Sequence, residues 1–335
     1  MPDTARLARQ ALRGVRNRFR PAVAPHLQSR FRRLEPATFD ELRTLLVNNV
    51  RRRHERTPDE EGQEFQNHLI RRLELNRSQI IPWLDDVRPL AGASVLEIGC
   101  GTGSSTVALA EQGAHVTAVD ADEPSVDVAR ERLRLYGLDC RLIAVNADRV
   151  HREVAGERFD FVIFYASLEH MLYQERLTAI RATWELLPVG GHWCVVEAPN
   201  RLWYYDHHSA HLNYFMWLPD ELAAAYLRFS PRADVRELIA QPAEADGAPG
   251  REELETLLRL GRGVSFHEFE LALGPLAALH VVSSLERFER RRDKALWLRW
   301  RLSRAYRYES LLATISPEVP RAFLQPELNL VLRKE

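Results

Sequence analysis

The sequence VLEIGCGTG at residues 95–103 combines a short apolar run with glycines at alternate positions. An apolar run of this length predicts a buried strand, and the glycines predict a tight turn before a helix that begins near residue 104. Glycine allows the backbone to approach a ligand where any Cβ atom would collide. We therefore expect Gly99, Gly101 and Gly103 to line a ligand site.

The spacing and the nearby acids restrict which ligand this turn can hold. The G-x-G-x-G pattern differs from the G-x-G-x-x-G turn that seats a dinucleotide, and the chain has no G-x-x-x-x-G-K-[ST] phosphate loop. Glu97 would repel a phosphate but suits a ligand with positive charge. Asp120 ends the next apolar run, about 20 residues on, where an acid can accept both ribose hydroxyls. These features together predict S-adenosylmethionine.

Short apolar runs alternate with helical patterns after residue 94. The runs cover residues 95–98, 116–119, 142–145, 159–164 and 193–196, and most are separated by helical stretches at about 104–112, 124–136 and 174–187. This alternation is typical of βαβ units and predicts a parallel sheet that is covered on both faces. The last strand candidates are residues 277–285 and 328–332.

Further motifs along this stretch resemble those of the class I S-adenosylmethionine-dependent methyltransferases. They follow VLEIGCGTG in the order of that family, namely VTAVDAD at 116–122, VNAD at 145–148, FDFVIFYASLEH at 159–170 and LLPVGGHWCVVEAP at 186–199. The resemblance implies that Ala147 and Asp148 hold the adenine edge through a backbone amide and a carboxylate. Glu97 is expected to orient the methionine end of the cofactor, through its amino group or a water.

The resemblance implies an α/β fold of the Rossmann-like type. We expect a doubly wound, mostly parallel sheet with a terminal antiparallel strand. The predicted divisions are a helical extension at 1–90, the cofactor-binding core at 91–200, an inserted cap at 201–276, and strands with a basic helix at 277–335 that complete the core.

His170 is the predicted general base. It lies just after the fourth predicted strand, where ligands bind in open α/β sheets, and some relatives place a catalytic histidine there. Glu169 is expected to orient His170 or to contact the cofactor. The alternative is a histidine that only caps or packs against the end of a strand.

An aromatic and histidine-rich segment follows the fifth predicted strand and is the candidate acceptor site. The residues assigned to acceptor binding are Arg201, Tyr204, Tyr205, His207, His208 and His211. Arg201 suits an acceptor carboxylate, although a structural salt bridge is an equal alternative. The spacing of His207 and His211 would allow a metal site, but no matching carboxylate set is visible, so we predict no metal.

Composition and charge exclude several classes of protein. With 335 residues, 45% hydrophobic and 28% charged, the chain can form a large core, and no apolar stretch approaches the roughly 18 residues of a membrane span. Three scattered cysteines indicate a reducing cytoplasm rather than a disulfide scaffold. Residues 94–200 carry sixteen acids and nine arginines, a net charge of −7.

Basic residues concentrate outside this acidic core. Residues 1–35 hold nine arginines and two acids, and residues 1–20 are predicted to form a basic amphipathic helix. Residues 285–310 hold nine basic residues and four acids, which alternate as on a solvated or dimer-contacting helix. We therefore disfavour nucleic acid as a partner and keep a homodimer as an alternative.

The predicted activity is O-methylation of a small-molecule or natural-product acceptor at a hydroxyl or carboxylate. A peptide or lipid carboxylate is an alternative acceptor that would need no base. Two further functions are alternatives. The chain could methylate RNA through its arginine-rich segments, or it could be a non-catalytic adaptor that binds the cofactor.

Overall fold

The computed structural model describes residues 23–53, 70–238 and 249–335, and its strands form one sheet. The strands are β1 Ser94–Ile98, β2 His115–Asp120, β3 Arg141–Ala144, β4 Phe161–Tyr165, β5 His192–Pro199, β6 His280–Ser284 and β7 Glu327–Arg333. Their order is β3-β2-β1-β4-β5-β7-β6. Strands β1 to β5 are parallel, and β7 runs antiparallel to both β5 and β6. The predicted fold class is confirmed, whereas the helix predicted for residues 1–20 lies outside the described residues.

Helices precede and connect the parallel strands. They are α1 Pro25–Gln28, α2 Pro36–Arg53, α3 Arg72–Leu75, α4 Ile81–Val87, α5 Ser104–Ala110, α6 Glu123–Leu135, α7 Val150–Glu153 and α8 Tyr173–Glu185. A five-residue π-helical segment, Asn76–Ile80, joins α3 to α4. Local sequence sets the start of α6, because the Asp122 side chain accepts a hydrogen bond from the backbone N–H of Ser125 and Pro124 occupies the first turn.

The two faces of the sheet belong to separate hydrophobic clusters. Val95 of β1 packs in one cluster with Trp83, whereas the next residue, Leu96, packs in the other with Trp193. Successive strand side chains point to opposite faces, so a strand that is buried on both sides needs apolar residues without alternation. This is why β4 has a continuous apolar sequence, FVIFY.

The chain after β5 first leaves the sheet and then returns to complete it. Residues 200–279 contain α9 Asp220–Tyr226, α10 Ala233–Leu238, α11 Arg251–Gly261 and α12 Phe266–Leu273. Between β6 and β7 lie α13 Leu285–Arg292, α14 Lys294–Arg301 and α15 Arg304–Ile315. The segment before β6 has a hydrophobic cluster of its own, which includes Phe215, Met216 and Leu257. No helix in the described part of the chain is both long and apolar enough to cross a membrane.

Arg176 of α8 connects the core to the segment that follows β5. Its side chain is fully buried and pairs with Glu268 of α12 at 2.7 Å. The same guanidinium donates hydrogen bonds to the carbonyl of Leu168, after β4, at 2.9 Å and to the carbonyl of Arg262 at 3.1 Å. A buried charge needs this set of partners to offset its loss of hydration.

Replacing Arg176 should strongly destabilise the fold. We expect Arg176→Met to lower the free energy of unfolding by about 3–5 kcal/mol, because Glu268 loses its cation and several carbonyls lose their donor. Urea denaturation followed by circular dichroism measures the loss. Arg181→Met on the same helix is the control, since Arg181 is exposed and donates a 3.3 Å hydrogen bond to the Leu271 carbonyl. Equal losses in both variants would contradict the assigned role.

Candidate functional site

The glycine turn after β1 packs directly against the residues that follow β4. Gly99 has φ +88°, and a Cβ atom there would lie 2.7 Å from the Tyr165 carbonyl oxygen and 2.6 Å from the Ser167 Cβ atom. Only glycine fits such a contact without displacing backbone. The turn and the 167–170 segment are therefore held side by side at the carboxyl edge of the sheet.

Asp120 shapes the same turn from the end of β2. Its Oδ2 accepts a hydrogen bond from the Gly101 backbone N–H at 2.7 Å, and its Oδ1 accepts one from the Asp122 N–H at 2.9 Å. At Gly101, no atom of the described residues other than Gly101 and its two chain neighbours lies within 4 Å of the position that a Cβ atom would take. The turn therefore presents bare backbone to open space. The third glycine, Gly103, precedes α5 and packs against Ala129 of α6.

Glu97 is fully buried beneath the turn. Its carboxylate accepts hydrogen bonds from the hydroxyls of Ser105 and of Thr106, the latter at 2.7 Å. Burial raises the pKa of Glu97 to about 7, against the opposing effect of the two hydroxyls. In this structure the carboxylate connects β1 to the first turn of α5.

The residues predicted for the adenine edge lie after β3. Ala147 and Asp148 form a short 3₁₀ turn, Ala147–Arg149. The Oδ1 atom of Asp148 is buried and has no hydrogen-bond partner among the described residues. A buried acceptor without a donor is costly, and the amino group of a bound ligand would satisfy it.

Several pocket residues have no counterpart in the predicted set. Arg72, Asn76 and Glu197 line a small pocket together with the glycine turn and Tyr165. The Tyr165 hydroxyl donates a hydrogen bond to the Asn76 side chain, which anchors the π-helical segment to β4. Glu197 has φ +59°, at the irregular carboxyl end of β5, and burial raises its pKa. An acid at the end of a predicted strand is a sequence signal from which Glu197 could have been predicted as a site residue. Nothing in the sequence indicates that Arg72 or Asn76 belongs to the site.

His170 lies in a 3₁₀ turn after β4, beside a buried acid and a second histidine. Its Nδ1 is 2.8 Å from the Arg259 carbonyl oxygen. Its Nε2 is 3.8 Å from Glu169 Oε1. Glu169 is fully buried, and neither of its carboxylate oxygens has a hydrogen-bond partner in the described part of the chain. Burial raises the pKa of Glu169.

His208 joins this pair from the segment after β5. Its ring centroid is 5.2 Å from that of His170, and burial lowers its pKa to about 4, with His170 adding to the effect. Glu169, His170 and His208 offer three donor atoms that lie within 4.8 Å of one another. Of the described residues, these three form the group that could hold a metal ion, although each of them was predicted in another role.

The remaining residues predicted to bind the acceptor are dispersed. His207 Nε2 contacts Glu327 Oε1 at 3.1 Å, and this contact raises the pKa of His207. Tyr204 packs edge-on against Tyr308 with ring centroids 5.0 Å apart. Tyr205 is partly exposed, and His211 has φ +56°.

Arg201 lies in a different cavity, beside Tyr173 and His267. It donates a 2.8 Å hydrogen bond to the Tyr173 hydroxyl. That cavity contains neither the glycine turn nor His170. Arg201 is therefore grouped with α8 and α12 rather than with the Glu169, His170 and His208 cluster.

The pH dependence of stability should reveal the buried state of Glu97. Its pKa is 4.5 in an ordinary environment and about 7 in the fold. Between these values the unfolded chain releases the proton more readily, so stability falls as the pH rises. We expect the free energy of unfolding of Glu97→Gln, measured relative to that of wild type, to rise by on the order of 2 kcal/mol from pH 5 to pH 8.

Urea unfolding at pH 5 and pH 8 tests this expectation. The control is Glu185→Gln, which removes an exposed carboxyl on α8 and should show no such gain. A difference between Glu97→Gln and wild type that is independent of pH would contradict the assignment.

Comparison with known proteins agrees with this geometry. A family model described as a methyltransferase domain matches residues 95–191. The ubiquinone biosynthesis O-methyltransferase of Stutzerimonas stutzeri (strain A1501) is 35% identical over 133 residues, which cover 40% of this chain and 53% of that protein. The cypemycin N-terminal methyltransferase of a Streptomyces species is 51% identical over 69 residues, 21% of this chain and 26% of that protein. The chain thus spans about half the length of the ubiquinone relative, and less of the cypemycin relative.

A solved structure is similar over a comparable part of the chain. The magnesium protoporphyrin IX methyltransferase of Synechocystis PCC 6803 has 22% identity and a TM-score of 0.36, and the match covers 50% of this chain and 73% of that one. The family match coincides with the glycine turn, the acid after β2 and the 167–170 segment. Residues 95–191 therefore carry a methyltransferase domain, and over this part the chain is similar to named methyltransferases.

Proposed function

We propose that this chain transfers a methyl group from S-adenosylmethionine to an oxygen atom of a small-molecule acceptor, with His170 as the general base. The observation that carries the proposal is the position of His170. It is held at the carboxyl edge of the sheet, in the segment that packs against the glycine turn. A base and a cofactor turn at one edge are what a hydroxyl methylation requires.

The residues present fit the cofactor. The open space over Gly101 admits a ligand close to the backbone, and the unsatisfied Asp148 Oδ1 suits an adenine amino group. Asp120 would take the ribose hydroxyls, and the buried acids Glu169 and Glu197 would favour a cationic end. When bound, S-adenosylmethionine supplies a methyl group that is activated by its positively charged sulfur.

The hydrogen bond of His170 defines its tautomer. A carbonyl oxygen can only accept, so the 2.8 Å contact with Arg259 places the proton on Nδ1. Nε2 then carries the lone pair that can remove a proton from an acceptor hydroxyl. Glu169 Oε1, 3.8 Å away, would stabilise the imidazolium that forms.

These groups and one of the relatives support a hydroxyl acceptor. A hydroxyl must lose its proton when it is methylated, and a histidine can accept that proton. The ubiquinone biosynthesis relative is named as an O-methyltransferase. The aromatic rings of Trp203 and Tyr204, in the segment after β5, pack with that of Tyr308 on α15 and form an apolar cluster. A carboxylate acceptor, on a small molecule, a peptide or a lipid, would use the same cleft without the base.

RNA methylation and a non-catalytic role have less support. The arginine-rich segment of α13 does not present free charge throughout, because Arg290 faces Glu309 and Arg291 pairs with Asp86 at 2.7 Å. This weakens its interpretation as an RNA-binding surface. A non-catalytic adaptor would not require the motif glycines, Asp120 and a base with a defined tautomer together.

Removing the Asp120 carboxylate should weaken cofactor binding. We expect Asp120→Ala to lower the affinity for S-adenosylmethionine by about 10- to 100-fold, since charged hydrogen bonds contribute roughly 1.5–3 kcal/mol. Isothermal titration calorimetry measures the affinity. Asp127→Asn, an exposed acid on α6 that pairs with Arg130, is the control. Unchanged affinity in Asp120→Ala would sink the cofactor assignment.

Removing the His170 imidazole should impair turnover but not cofactor binding. We expect His170→Ala to slow methylation of a hydroxyl acceptor by about 100-fold or more, because general-base catalysis contributes this much. Release of S-adenosylhomocysteine across a panel of hydroxyl acceptors measures turnover, and calorimetry measures cofactor affinity. His280→Ala, at the opposite end of the sheet, is the control. Full turnover in His170→Ala would refute the base and favour a carboxylate acceptor.

A further inference from the structure

The arginine-rich segment of the sequence encloses a cavity that the proposed function does not use. The cavity has a volume of about 520 Å³ and lies just after β6, between α13, α14, α15 and the 3₁₀ turn Arg321–Leu324. None of the glycine-turn residues lines it. We call it the arginine cavity and define it by Glu286, Arg287, Arg290, Trp297, Arg321 and Gln325.

Positive charge is in excess in the arginine cavity. Arg290 and Arg321 both face a single carboxylate, that of the fully buried Glu309, each at 3.4 Å. Arg287 lines the same cavity and has no ion-pair partner among the described residues. A fourth arginine of the wall, Arg291, pairs with Asp86. The other three guanidinium groups share the wall with two carboxyl groups, those of Glu309 and Glu286, and a bound anion would balance the remaining charge.

Two buried side-chain oxygen atoms in the cavity wall lack hydrogen-bond partners among the described residues. Gln325 is 3% exposed, and its Oε1 atom receives no hydrogen bond from the part of the chain that the structure describes. The Oε2 atom of Glu286 is also buried and has no hydrogen-bond partner among the described residues. Buried oxygens of this kind are normally satisfied, so a ligand that carries an O–H or N–H group would fit here. Burial raises the pKa of Glu286 to about 8, so this acid does not cancel the arginine charge at pH 7.

Apolar side chains line the cavity as well, beside the hydroxyl groups of Ser283 and Ser284. Val281, Pro320 and Ala322 line the cavity together with the indole of Trp297. Cavities of roughly 300–1,000 Å³ with an apolar lining and a few directed polar groups are typical of small-molecule sites. The size and lining suit an aromatic or aliphatic body rather than an inorganic ion.

We propose that the arginine cavity binds a hydroxylated organic acid, a carboxylate on an apolar body, at a site separate from the cofactor turn. Arg287 and the pair Arg290 and Arg321 receive the carboxylate. Gln325 and Glu286 receive the hydroxyl, and Trp297 contacts the apolar body.

Calorimetric titration of the full chain with matched probes tests this proposal. We expect 3-hydroxy-2-naphthoate to bind with one-to-one stoichiometry, and its neutral amide to bind at least 10-fold more weakly, because the amide lacks the charge. 2-Naphthoate, which lacks the hydroxyl, should also bind more weakly. Arg287→Gln should lower the naphthoate affinity about 10-fold, and Arg287→Lys should lower it less.

Matched controls separate this site from the rest of the molecule. Arg299→Gln removes an exposed arginine of α14 outside the cavity and should leave the affinity unchanged. Asp120→Ala, in the cofactor turn, should leave naphthoate binding unchanged as well. Thermal unfolding checks that each variant is folded.

Three outcomes would overturn the inference. They are equal affinity for the naphthoate and its amide, equal affinity in Arg287→Gln and Arg299→Gln, and loss of binding in Asp120→Ala, which would locate the probe in the cofactor cleft. Absence of saturable naphthoate binding overturns it too. A failure of S-adenosylmethionine binding, by contrast, would count against the proposed function alone.

Discussion

The close contact between Gly99 and the end of β4 is the constraint on which the candidate site depends. With no side chain at Gly99, the turn can rest against the Tyr165 carbonyl and Ser167. That contact sets the distance between the surface that would hold the cofactor and the segment that carries His170. A misplacement of about 1 Å can cost a reaction about 100-fold in rate, so this backbone contact would do much of the positioning in a methyl transfer.

The orientation of His170 depends on a part of the chain far away in sequence. The carbonyl that fixes its tautomer belongs to Arg259 at the end of α11, and His208 approaches from the loop after β5. Arg176 holds these elements to the core through Glu268 and the backbone near residue 262. The geometry of the candidate site at the sheet edge is therefore coupled to the stability of the inserted segment.

The sheet could be predicted from the sequence because its signals are local. Apolar runs, the glycine turn and the acid after β2 each lie within a few residues of the structure that they specify. The roles of Asn76, Arg259 and Glu309 could not be predicted in this way, since each depends on contacts between distant segments. Arg201 illustrates the same limit: it follows β5 directly, yet its hydrogen bond to Tyr173 places it in another cavity.

The position of β7 has a consequence for how the molecule assembles. This strand lies between β5 and β6, so β6 has no partner in the sheet until β7 has paired. The pairing of β7 with β5 joins residues more than 120 positions apart, for example Pro199 and Glu327. Closing a loop of this size costs conformational entropy before any contact stabilises the closed loop, and this slows folding. We therefore expect β1 to β5 to form an early unit, with an exposed edge at β5 that is open to wrong strand partners until β7 arrives.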